Sequence, residues 1–78
     1  MIVYESYGIG MVDDADGGIE VFDRQSHGSD LAAAHVAARN VSIKTYPLQG
    51  YGYVARMEDG WELATVSYEN GTVEDDYW

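Results

Sequence analysis

The sequence predicts an α+β fold: an amino-terminal β-hairpin, one α-helix, then a meander forming an antiparallel sheet with the helix packed on one face. Three observations carry that reading. Residues 30–39 hold five alanines and neither glycine nor proline, the strongest helical window in the chain. Asp59-Gly60 and Asn70-Gly71 are dipeptides that favour two-residue hairpin turns. Runs rich in β-branched and aromatic residues flank the helical window on both sides.

Residues 1–12 carry Ile2, Val3, Tyr4, Tyr7, Ile9 and Val12, and read as a strand in which Gly8 and Gly10 are the places for a bend. Asp13 to Gly18 is a turn built almost wholly of Asp and Gly, and Ile19 to Asp23 resumes the alternation as the second strand of a hairpin. Arg24 to Gly28 is a polar link. Ser29 has the chemistry of an N-cap, with Asp30 behind it at the positive end of the helix dipole. The helix is expected over Asp30 to Arg39, with Asn40 stopping it in the left-handed conformation. Leu31, Ala34, Ala38 and His35 share one face, small enough for close approach to a sheet. Val41 to Tyr46 then alternates and ends at Pro47.

The two hairpin dipeptides set an expected register. Pairing outward from Asp59-Gly60 places Ala55 opposite Ala64 and Tyr53 opposite Val66; pairing from Asn70-Gly71 places Tyr68 opposite Val73 and Val66 opposite Asp75. Strict alternation then puts Tyr51, Tyr53, Ala55, Met57, Ala64, Val66, Tyr68, Val73 and Tyr77 on the core face. The other face would carry Val54, Arg56, Glu58, Trp61, Leu63, Thr65, Ser67, Glu74, Asp76 and Trp78, with Trp61, Leu63 and Trp78 near one another. Glu62 and Asp75 fall on the core side and break the pattern, which points to the sheet margin or to a bulge.

At 78 residues the chain is one small domain, 1–78, that buries about 60–65% of its unfolded surface. With 46% hydrophobic residues it can fold. It has no cysteine, which excludes disulfides, thiolate metal sites and thiol nucleophiles. The longest apolar run, Leu31 to Ala34, is too short to span a membrane. No basic amino terminus leads into an apolar segment, so a cytoplasmic location is expected.

Charge is the strongest compositional signal. Fourteen Asp and Glu oppose four Lys and Arg, for a formal charge of −10, and Lys44 is the only lysine. Such a field repels nucleic-acid phosphates and anionic membranes and steers towards basic protein surfaces. Direct nucleic-acid or membrane binding is therefore disfavoured, while acidic, lysine-poor surfaces also keep proteins soluble in concentrated salt.

The motifs for chemistry are incomplete. Asp13, Asp14, Asp16 and Gly17 resemble part of an EF-hand calcium loop, but Val12 stands at the first ligand position and Asp23 replaces the closing Glu. An acidic hairpin turn explains the same residues. His27, Asp30 and His35 lack a further ligand at metal-binding spacing. Ser26 and Ser29 lack a nucleophile elbow, and Gly8-Ile9-Gly10 lacks the third glycine of a dinucleotide site. No catalytic residue, metal or cofactor is assigned, and an enzyme is not expected. Exposed tryptophan among carboxylates suits a protein partner, so the candidate binding residues are Glu58, Asp59, Trp61, Glu69, Glu74, Asp76 and Trp78, with Asp13, Asp14 and Asp16 at the first turn. Glu74 and Asp76 lie two apart on one strand, roughly 6.8 Å along it. Fixed charges at such spacing can stand in for a phosphate backbone.

In its small size, acidity, lack of cysteine and strand–helix–strand layout through Gly60-Trp61 and Asn70-Gly71-Thr72, the chain resembles the phage-encoded inhibitors called anti-CRISPR proteins. The resemblance implies an acidic inhibitor, several of which act as DNA mimics, directed at the basic DNA-gripping surface of a Cas subunit or surveillance complex. It implies no nuclease activity and assigns no residue a role. The alternative is a salt-adapted structural or protein-interaction module whose acidity serves solubility alone.

Overall fold

The helix spans residues 31–45 in a computed structural model of the chain, which describes residues 1–11, 19–45 and 50–78. The strands are β1 (Ile2–Met11), β2 (Ile19–Ser26), β3 (Tyr51–Glu58), β4 (Trp61–Glu69) and β5 (Thr72–Asp76), and the helix is α1 (Leu31–Thr45). They form one antiparallel five-stranded sheet in the order β2-β1-β3-β4-β5, with α1 on one face. The expected α+β architecture is the observed one. The helix connects edge strand β2 to β3, which lies on the far side of β1. The acidic turn at Asp13, Asp14 and Asp16, with its calcium-loop likeness, lies outside the described residues.

The helix begins one residue later than expected, and its cap is different. Asp30, not Ser29, is the N-cap: its Oδ1 accepts from the Ala33 amide at 3.0 Å, and its carbonyl accepts from the Ala34 amide at 3.2 Å. At the other end α1 runs through Asn40 and takes up Val41 to Thr45 of the stretch expected as a strand, whose last residue, Tyr46, lies outside the described residues. Tertiary packing overrides the β-branched composition there. Val41 sits over Gly8 of β1, and buried Ser42 ties the helix to the β4–β5 turn. Ser42 Oγ donates back to the Arg39 carbonyl at 2.7 Å and accepts from the Gly71 amide at 2.9 Å.

Both Gly-containing hairpins form. Asp59 and Gly60 have φ of 50° and 85°, and Asn70 and Gly71 have 48° and 82°, the left-handed pairs that a type I′ turn requires. The expected register holds at Glu58↔Trp61, Met57↔Glu62 and Tyr68↔Val73, then slips by one residue on each hairpin. Leu63 is the extra residue on β4, so Arg56 pairs with Ala64 and Val54 with Val66. Glu74 is the extra residue on β5, so Ser67 pairs with Asp75 and Val66 with Asp76.

These bulges correct the expected core face, because a one-residue slip moves every later side chain to the other side. The core under the helix is Ala34, Ala38, Val54, Val66 and Tyr68, flanked by Tyr4 and Leu31. Val54 and Arg56 of the expected outer face thus share a side with Val66 and Tyr68 of the expected core face. Tyr51, Tyr53, Ala55 and Met57 lie on the sheet face opposite the helix. Glu62 and Asp75, which broke the alternation, mark the two slips.

Trp78 also changes sides. Asp76 pairs with Val66, and the chain continues along β4 through a Tyr77 amide bond to the Thr65 carbonyl at 2.9 Å. The Trp78 indole stacks on Tyr4 at 5.9 Å between centroids and lies 6.5 Å from the His35 ring, on the helix side. It caps the core margin. Trp61 changes sides as well, since it pairs with Glu58 on the side that Arg56 and Val54 share, and no ring contact joins the two tryptophans among the described residues.

Candidate functional site

Residues 50–78 hold seven Asp and Glu but Arg56 as their sole cation. Among the described residues the ion pairs are Arg24–Glu5 at 2.6 Å and Lys44–Asp23 at 3.3 Å, both involving β2. Arg39 donates to the Gly71 carbonyl at 3.2 Å, and Arg56 lies 5.2 Å from the Trp78 ring centroid. No ion pair among the described residues therefore neutralises Glu58, Asp59, Glu62, Glu69, Glu74, Asp75 or Asp76.

The structure places the candidate residues in three locations. Glu58, Asp59 and Trp61 sit at the β3–β4 turn, where Trp61 is 76% exposed and Leu63 51%. Glu69 and Glu74 flank the β4–β5 turn and, with Thr72 and Val73, line an open depression of about 240 Å³. Asp76 and Trp78 belong to the helix side. Glu74 and Asp76 are both exposed but do not form the same-face pair expected from strict alternation, because the bulge falls at Glu74. Asp13, Asp14 and Asp16 lie outside the described residues.

Partial loss of hydration, followed by the charges of Glu69 and Asp75, holds the Glu74 carboxyl above the usual carboxylate range. The same group, with Glu69, raises the Tyr51 hydroxyl, and burial followed by Glu74 raises Tyr53. The sheet face opposite the helix thus lies in the field of the β4–β5 carboxylates.

That face was hidden from the sequence by the bulges. A row of paired residues crosses four strands there: Tyr7 on β1, Tyr53 on β3, Ser67 on β4 and Asp75 on β5. Tyr7 and Tyr53 stack at 5.3 Å between centroids and 12° between planes, and Tyr51 meets Tyr53 edge-on at 6.5 Å. Tyr7 donates to Glu62 Oε1 at 2.7 Å. The Arg24 guanidinium lies 4.6 Å from the Tyr7 ring centroid while pairing with Glu5. The interruption of the alternation at Glu62 and Asp75 was the available sequence signal for this face.

The histidines are used in the scaffold. The Ser6 hydroxyl is 2.8 Å from His27 Nε2, and the Tyr68 hydroxyl is 2.7 Å from His35 Nδ1. No group of three or more His, Cys, Asp or Glu suited to a metal ion occurs among the described residues, and no described helix is long and apolar enough to cross a membrane. No family model, curated protein or solved structure matches this chain.

Proposed function

We propose that the chain is an acidic protein inhibitor of the anti-CRISPR type, one that binds the basic nucleic-acid-binding surface of a Cas complex and blocks target DNA as a DNA mimic. The observation that supports this reading most is the absence of ion pairing, among the described residues, for the carboxylates of residues 50–78. Their charge is available to a partner's lysines and arginines. Trp61, 76% exposed beside Glu58 and Asp59, adds an apolar anchor to that charge.

The salt-adapted module remains the second reading, favoured by a sequence with fourteen acidic residues and a single lysine. A competition assay separates the two. A purified Cas surveillance complex is incubated with labelled target DNA and increasing amounts of the protein, at low and high salt. The inhibitor reading expects DNA to be displaced, with displacement weakening as salt rises. Simultaneous binding of DNA and protein rules out occlusion. Absence of binding, with a fold that gains stability only in concentrated salt, establishes the second reading.

A further inference from the structure

Arg24, Tyr7 and Glu5 form a guanidinium site that the chain fills itself: the cation lies 4.6 Å from the aromatic ring centroid and 2.6 Å from a carboxylate oxygen. The neighbouring part of the same sheet face repeats the chemistry without an arginine. There the Tyr51 and Tyr53 rings meet edge-on, and Asp75 lies across β4 in the same row as Tyr53. Glu74 and Glu69 complete the negative side, and Glu74 acts electrostatically on both tyrosines. Neither Tyr51 nor Tyr53 is fully buried, and no described element covers this side of the sheet.

We propose that the Tyr51–Tyr53 platform, bordered by Glu74 and Asp75, is a docking surface for an arginine-bearing segment of a partner protein. The inference rests on the inhibitor reading for its biological setting and adds to it the contacting face and the side chain recognised. Charge complementarity selects a cationic occupant and rejects nucleic acid. The aromatic platform selects arginine over lysine. A planar guanidinium stacks on a tyrosine face while its N–H edge donates to a carboxylate, as Arg24 does over Tyr7, whereas an ammonium is a compact, strongly hydrated point charge.

The test compares oligoarginine and oligolysine peptides of equal length on the intact protein, by calorimetry in physiological salt, with NMR shift mapping of the bound state. The expected preference for oligoarginine is roughly fivefold, the yield of one exposed guanidinium–aromatic contact. Shifts should concentrate at Tyr51, Tyr53, Ser67 and Asp75 and spare the helix. Tyr51→Ala should bring the two affinities together while leaving their salt dependence in place. Arg24→Ala should widen the arginine preference by vacating the Tyr7–Glu5 site, a gain that misfolding cannot imitate. Equal affinity of the unmodified protein for the two peptides, or shifts confined to the helix side, overturns the proposal. Loss of DNA competition with the arginine preference intact removes the inhibitor reading and leaves this surface standing. Retained competition without arginine preference does the reverse.

Discussion

Gly52 on β3 carries no side chain because the Ala38 carbonyl of the helix occupies the space a Cβ would need. The contact is backbone against strand, and it sets how closely α1 lies on the sheet. Ala34 and Ala38, both fully buried, extend the same close approach along the helix. It follows that Gly52→Ala should cost about 3 kcal/mol, the upper part of the usual range for overpacking, since a carbonyl cannot rotate aside as a side chain can. Gly10→Ala is the control, because among the described residues its Cβ would meet only the edge of the Phe22 ring at 3.3 Å. Its effect should stay within about 1 kcal/mol. Urea denaturation midpoints of the two variants decide the matter.

The helix cap gives a second test. Asp30→Ala removes the acceptor for the Ala33 amide and should destabilise by about 1 kcal/mol, whereas Ser29→Ala should change stability by less than about 0.5 kcal/mol. A larger loss at Ser29 than at Asp30 would reverse the assignment.

Alkaline pH should act through the tyrosine face. Burial, then the hydrogen bond to Glu62, raises the Tyr7 hydroxyl far above its ordinary value of 10.0, and Tyr53 and Tyr51 shift the same way. A group raised on folding contributes stability that is complete below its unfolded pKa and is lost as pH climbs towards the folded one. Stability should therefore hold up to about pH 10 as far as these groups are concerned, and fall above it. Tyr7→Phe should make that fall shallower, as read by thermal unfolding across alkaline buffers.

Glu74 follows the same sign in the acid range. Its raised carboxyl favours the protonated form in the folded state, so its contribution is complete at low pH and lost as pH rises through the folded value. At neutral pH and low salt, Glu74→Gln should raise the melting temperature, and added salt should erase most of the difference. A difference that survives high salt would point to packing instead of charge.

The two tryptophans should behave in opposite ways. Trp61→Ala should leave stability within about 0.5 kcal/mol of the parent and, in complex with a partner, speed dissociation. Trp78 is 40% exposed but stacks on Tyr4 and lies beside Arg56. Trp78→Ala should destabilise by about 1–2 kcal/mol through those contacts. Equal stability losses at the two positions would contradict their separate environments.

Local chemistry determined the hairpin turns at Asp59-Gly60 and Asn70-Gly71, because only a few residue pairs tolerate two consecutive left-handed conformations. It also determined the helix over its alanine-rich stretch and the small face of Leu31, Ala34 and Ala38, through propensity and helical spacing. The excess of negative charge follows from composition alone. Tertiary structure decided what depends on distant partners. Val41 and Ser42 are helical because they pack on Gly8 and the Gly71 turn, contacts made with residues some thirty positions away. Leu63 and Glu74 bulge out of their strands, and each bulge reverses the sides of the residues beyond it. That reversal moved Trp78 onto the core margin and left Tyr51 and Tyr53 on the face that no described element covers. Alternation can assign a residue to a side only while the register is unbroken, and the register of a sheet is fixed by what each strand must bury against its neighbours.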